Sequence, residues 1–232
     1  MIKKIVLVGM AALLALIIAV GVVTYSYLKP VEAASEPIEA IPITQTTSTN
    51  TAATGTTYTI AQDSSQAKFI IDETLNGSPV TVVGSTNQVA GQIILDLANP
   101  AAAQIGTLQI NARTFATDST NRDRATQNRI LETSTYEYIT FAPTALTGLP
   151  ATATVGQSYT FDIVGQLTIK DQTHDATFTA TVTPNADGTL SGTATTTINY
   201  ADWGISVPEV PMVTNLAQSV TLTLDFVATD AE

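Results

Sequence analysis

Four arginines carry the most evident recognition chemistry in this chain. Arg113, Arg122, Arg124 and Arg129 are four of the six basic residues beyond position 30, in a protein of formal charge -11. A guanidinium offers a planar fork of donors suited to oxygen-bearing groups such as phosphate. The same residues also suit a solvated helix face, with Asp118, Asp123 and Glu132 as local partners. Other chemistries lack their side chains. There is no cysteine, and His174 is the only histidine, which excludes thiolate sites and leaves imidazole-rich metal centres and Ser-His schemes without support. His174 stands at a turn beside Asp175 and reads as a surface residue. The acidic residues show no spacing that sets a glycosidase dyad apart from ordinary surface carboxylates. No catalysis is therefore expected, no resident cofactor is implied, and the acidic balance argues against nucleic acid.

The elements that must position these residues are strands. Apolar residues make up 44% of the chain and charged residues 12%, Thr recurs throughout, and long Ala/Leu/Glu/Lys helical runs are missing. Period-two alternation is clearest at Tyr159, Phe161, Ile163, Gly165, Leu167 and Ile169, which predicts one long half-buried strand. After a turn at Asp171, Gln172 and Thr173, the residues Ala176, Phe178, Ala180 and Val182 continue the pattern. A second turn over 184–188 leads to Leu190, Gly192, Ala194, Thr196 and Ile198. Val220, Leu222, Leu224 and Phe226 mark the last strand. Noisier strands are predicted over 67–75, 89–97, 105–112 and 138–146. The alternation stops between Thr117 and Thr133, where Asp118, Ser119 and Thr120 are candidate caps for one short helix over 121–131.

Three regions follow from this reading. Residues 1–30 read as an N-terminal transmembrane helix or uncleaved signal, since Lys3 and Lys4 precede an uncharged run over 5–28 long enough to cross about 30 Å of hydrocarbon. A cleaved signal peptide is the alternative, and both place the rest of the chain outside the cytoplasm. Residues 31–57 are rich in Thr, Ser, Pro and Ala and read as a disordered stalk. Residues 58–232 are expected to form a single all-β domain. About eight antiparallel strands make either a closed barrel or a two-sheet sandwich, and strands of ten to twelve residues favour the barrel. Gly165, Ala176, Ala180, Gly192 and Ala194 in the inward series either leave lateral space or admit close packing.

Several segments resemble the YceI-like family. They are Asn111-Ala112-Arg113-Thr114-Phe115-Ala116-Thr117-Asp118, Asn121-Arg122-Asp123 and Tyr136-Glu137-Tyr138-Ile139-Thr140-Phe141. Gly165-Gln166-Leu167-Thr168-Ile169-Lys170 and Ile198-Asn199-Tyr200-Ala201-Asp202-Trp203-Gly204 follow in the family's order. The resemblance spans residues 58–226 and implies a lipocalin-like antiparallel β-barrel that holds a polyisoprenoid, an isoprenoid quinone or a polyprenyl phosphate. On that reading the chain lining would be Phe69, Ile71, Phe141, Phe161, Ile163, Leu167, Phe178, Ile198, Trp203 and Phe226. For each of these, plain core packing is the competing account. The head group would fall to Arg122, Arg124, Arg129 and Arg113. The sequence departs from the family pattern at Ala125, where a histidine is usual, and at Glu137, where proline is usual and whose replacement is expected to loosen the start of a strand. A membrane through the N-terminal helix and the isoprenoid are the implied partners, with room left for a homodimer. A non-catalytic β-sandwich serving in adhesion or envelope interaction is the alternative.

Overall fold

Alternating Thr and β-branched residues favour extended backbone. The computed structural model describes residues 29–30, 32–35, 37–43 and 55–231, and strands dominate it. Thirteen strand segments join one antiparallel sheet: β1 (Thr56–Ile60), β2 (Gln66–Leu75), β3 (Ser78–Thr86), β4 (Val89–Ala90), β5 (Gln92–Leu95), β6 (Gln104–Ile105), β7 (Leu108–Asn111), β8 (Tyr138–Thr147), β9 (Tyr159–Ile169), β10 (Gln172–Pro184), β11 (Leu190–Asn199), β12 (Val213–Thr214) and β13 (Ser219–Asp230). Hydrogen bonding runs in the order β4-β7-β8-β9-β10-β11-β13-β1-β5-β6, with β2 set between β13 and β3.

The sheet curls into a half-barrel instead of stacking in two layers, so the sandwich alternative does not describe it. β1 and β2 lie end to end along β13, and β3, β4 and β5 follow one another beside them. Counting each broken strand once leaves eight positions around the curl, and the breaks explain why thirteen segments replace about eight strands. The sheet meets itself at a short seam of four residue pairs, Val89↔Ile110, Ala90↔Gln109, Ile93↔Ile105 and Ile94↔Gln104.

Its two faces differ as the alternation requires. Outside, threonines sit opposite one another and join by hydroxyl hydrogen bonds, as at Thr160 with Thr181 and Thr197 with Thr221. Inside, Leu167, Leu190, Ala180 and Ala228 are almost fully buried. The small inward residues divide between the two roles open to them. A Cβ at Gly165 would lie 2.7 Å from the ring of Phe141, and one at Gly192 3.0 Å from the ring of Phe226, so those glycines admit aromatic rings. Ala180 and Ala194 border cavities instead.

Two local readings shift. The predicted helix over 121–131 is one turn and a half of α-helix, α1 (Thr120–Ala125), followed by a π-turn (Thr126–Ile130). Its start is held by Asp123, whose Oδ1 accepts from the amide and hydroxyl of Thr117, and not by a cap from Ser119. The turn before β10 is Lys170 and Asp171, since Gln172 already pairs with Ile169. Strand β3 was absent from the sequence reading. Its signal is Asn76-Gly77, both at positive φ (49° and 80°), the residue pair preferred in two-residue hairpins.

The described part of the 31–57 stretch, expected as a disordered stalk, lies against the domain. Ile38 is 5% exposed, and its carbonyl accepts from Gln62 Nε2. Ile43 packs beside Gly106, and its amide donates to Gln92. Apolar anchors among the Pro and Ala residues, with polar bonds to either side of the seam, hold this strap down. The remainder of the stretch, and the anchor expected over 1–30 apart from Lys29 and Pro30, lie outside the described residues. Among the described residues no helix is long and apolar enough to cross a membrane.

Candidate functional site

Among the described residues, inward side chains along the curl line three apolar cavities that share walls in series, ordered inward from Arg122. The innermost, about 80 Å³, is bordered by Phe161, Phe226, Ile93 and Leu146, among others. It shares Leu108, Ile163, Ala194 and Leu224 with a middle cavity of about 90 Å³. The middle cavity shares Phe115, Ile139, Ile169 and Leu222 with an outer one of about 160 Å³. A dry cavity of about 150 Å³ admits a benzene-sized molecule, so each space suits one short apolar group and the series suits a chain. The bore is partly hollow and partly plugged. Phe141 and Phe178, with ring centroids 4.8 Å apart, stand in its middle.

The expected lining residues distribute along this series. Phe69, Ile71 and Ile198 border the outer cavity, Phe141, Leu167 and Phe178 the middle one, and Phe161 and Phe226 the innermost, while Ile163 borders two. Trp203 borders none of the three. It is 4% exposed, its indole N–H donates to Leu167 O at 3.0 Å, and His174 meets it edge-on at 5.0 Å, which makes it an end plug. The turn Tyr200–Trp203 and Gly204, at φ 63°, fix it there. Trp203→Phe removes that donor and takes one hydrogen bond from the Leu167 carbonyl. It is expected to lower the unfolding free energy by about 1 to 2 kcal/mol, checked by denaturant titration.

The four arginines do not act together. Arg122 alone borders the bore, at the outer cavity. Its Nη2 lies 3.0 Å from Glu73 Oε1, and its Nη1 bonds Asp118. Arg113 is committed to structure, with Nε donating to Thr133 O at 2.8 Å and Nη1 3.0 Å from Glu137 Oε2. Arg124 is exposed, and neither it nor Arg129 borders these cavities. Arg113 sits on the turn after β7, Arg122 and Arg124 on α1 and Arg129 on the π-turn, and of the four Arg122 is the one that borders these cavities.

Glu73 was missed by the sequence reading, although its signal was present: it keeps the inward phase of Phe69 and Ile71 along β2. Its side chain is 8% exposed. Thr126, on the π-turn, is the other polar side chain of this wall besides Tyr200. The outer end of the bore is thus the polar end.

Glu137 does the opposite of loosening its strand. It accepts from the Ser35 amide at 2.8 Å and the Ser35 hydroxyl at 2.7 Å, besides pairing with Arg113. Burial pushes its carboxyl up, but the Ser35 bonds and the Arg113 charge outweigh this and hold it below its usual 4.5. A lowered folded-state value means that strap docking gains its full contribution above 4.5 and loses it as pH falls through the lowered value. In an NMR titration the Ser35 amide is expected to shift with a midpoint below 4.5, and a midpoint at or above 4.5 contradicts the assignment.

Residues 58–228 match the family described as the YceI-like domain. No curated protein sequence matches the chain. Among solved structures, BcnA of Burkholderia cenocepacia is similar at 20% identity and a TM-score of 0.59, over 73% of this chain and 99% of that one. A polyisoprenoid binding domain from Saccharophagus degradans, implicated in plant cell wall breakdown, aligns at 13% identity and a TM-score of 0.60, over 75% and 98%. The YceI protein of Campylobacter jejuni aligns at 18% and 0.52, over 64% and 85%. At these identities the likeness is one of fold.

Proposed function

This chain belongs to the YceI-like family, and from that premise we propose that it is an exported, membrane-tethered binding protein that holds a polyisoprenoid lipid in its bore. The observation that carries the reading is the series of three apolar cavities sharing walls, with the Arg122–Glu73 ion pair at the outer end. A prenyl chain needs continuous apolar contact and no reactive group, each buried methylene contributing about 0.8 kcal/mol. The Saccharophagus degradans domain of the same fold, which is described as polyisoprenoid binding, adds support.

Tethering rests on the lysine-flanked apolar run over 5–28. That run leads to Lys29, whose carbonyl accepts from Asn128 Nδ2 at 3.1 Å on the π-turn beside the outer cavity. An anchor there would leave a membrane lipid a short path to the polar end. The test is to purify the full chain from its native membranes, extract it with organic solvent and examine the extract by mass spectrometry. A prenyl lipid near one per protein supports the reading, whereas repeatedly empty extracts defeat it. Release of the chain by salt or alkaline washing without detergent would overturn the tether.

A further inference from the structure

Resting on the isoprenoid reading, we infer that Glu73 makes the outer end of the bore select an uncharged, oxygen-bearing prenyl head, a hydroxyl or carbonyl, over a phosphate or diphosphate. The juxtaposition is one guanidinium between two carboxylates. Among the described residues Arg122 is the only cation bordering the outer cavity, bound by Glu73 on the inner side and Asp118 on the outer, while Lys68 at the middle cavity is paired with Asp225. Its charge is already exceeded by its partners, so the site as a whole is negative.

Burial makes the inner partner decisive. The Asp118 side chain is 79% exposed and its charge is screened by water, whereas that of Glu73 is 8% exposed among Phe69, Ile71 and Val82. A phosphate seated against Arg122 would meet this carboxylate in a poorly hydrated wall or would displace it from its partner. The first outcome sets like charges together, and the second leaves a buried anion unpaired. A neutral head meets neither penalty. Arg122 keeps N–H groups beyond the two used in its ion pairs, and Glu73 keeps Oε2, so a hydroxyl can accept from the first and donate to the second. A quinone carbonyl can accept from Arg122 alone.

The other arginines do not restore a phosphate site. Arg113 is held by Glu137 and by backbone carbonyls of 133 and 134, and Arg124 and Arg129 lie off the cavity wall.

The test uses the purified full chain in detergent, with radiolabelled geranylgeraniol displaced by unlabelled geranylgeraniol or by geranylgeranyl phosphate at neutral pH. The phosphate is expected to compete at least about tenfold more weakly. Glu73→Gln, which keeps the shape and removes the charge, is expected to narrow that ratio to roughly threefold or less. Equal or tighter competition by the phosphate in the unaltered protein overturns the inference, as does an unchanged ratio in a folded Glu73→Gln. The comparison on the unaltered chain decides the matter even where the variant does not fold. If neither compound binds, the isoprenoid reading itself falls, and the two failures are thereby distinct.

Discussion

Phe141→Ala is expected to lower the free energy of unfolding by about 3 to 5 kcal/mol, the usual range for deleting a buried aromatic ring. The ring is 3% exposed, lies over the bare backbone of Gly165 and packs against Phe178. Gly165 offers no side chain to fill the space, so how far Phe178 can move into it sets the place within that range. For a domain of this size the loss corresponds to a fall in Tm of roughly 6 to 20 °C, read by thermal unfolding. Lipid retention should not fall in step, because the ring is also the plug of the middle cavity and its removal widens the passage. A melting curve within 2 or 3 °C of the unaltered protein, on the order of 1 kcal/mol, would show that the ring is not packed as described.

Ala194→Leu acts in the reverse direction. Ala194 borders both the innermost and the middle cavities and pairs across the sheet with Ala180 and Leu224. A leucine there projects into the junction through which a prenyl tail would pass. Stability should change by no more than about 3 kcal/mol in either direction, because added volume enters existing space. Denying the tail as few as two methylenes forfeits about 1.6 kcal/mol, more than tenfold in affinity. Affinity for the lipid, measured by titration of the delipidated chain, is therefore expected to drop at least about tenfold. An unchanged affinity would mean that the tail does not cross the junction.

These outcomes separate two properties that look alike in a sequence, because a packed core and a lined bore use the same residue types. Phe141→Ala tests a ring that fills space, and Ala194→Leu tests a methyl that leaves it. Both positions sit in the inward phase of long strands, and period two assigns them the same side without saying which is which.

What the amino-acid sequence determined by itself was local and periodic. Phe161, Ile163, Leu167 and Ile169 had to share a face, because successive Cβ atoms of extended backbone point to opposite sides, and Asp162, Val164, Gln166 and Thr168 between them had to share the other. The ordered motifs from Asn111 to Trp203 were enough to indicate the family, and the cysteine count excluded whole classes of chemistry. The hairpin of β2 and β3 carries a local signal of the same kind at Asn76-Gly77, although the sequence reading passed over it.

Tertiary structure alone decided which inward residues border space and which fill it. The glycine at 165 takes a ring only because β8 pairs Phe141 with Leu167, two residues along β9, from where its ring lies over the glycine. It also divided the arginines, giving Arg122 a buried carboxylate forty-nine residues away and Arg113 a set of carbonyls and a strap. Such pairings depend on distances through space between segments remote in sequence, and no local pattern encodes them. Glu73 is the clearest instance. Its phase pointed it inward, but only the fold supplied the cation that makes a carboxylate tolerable there.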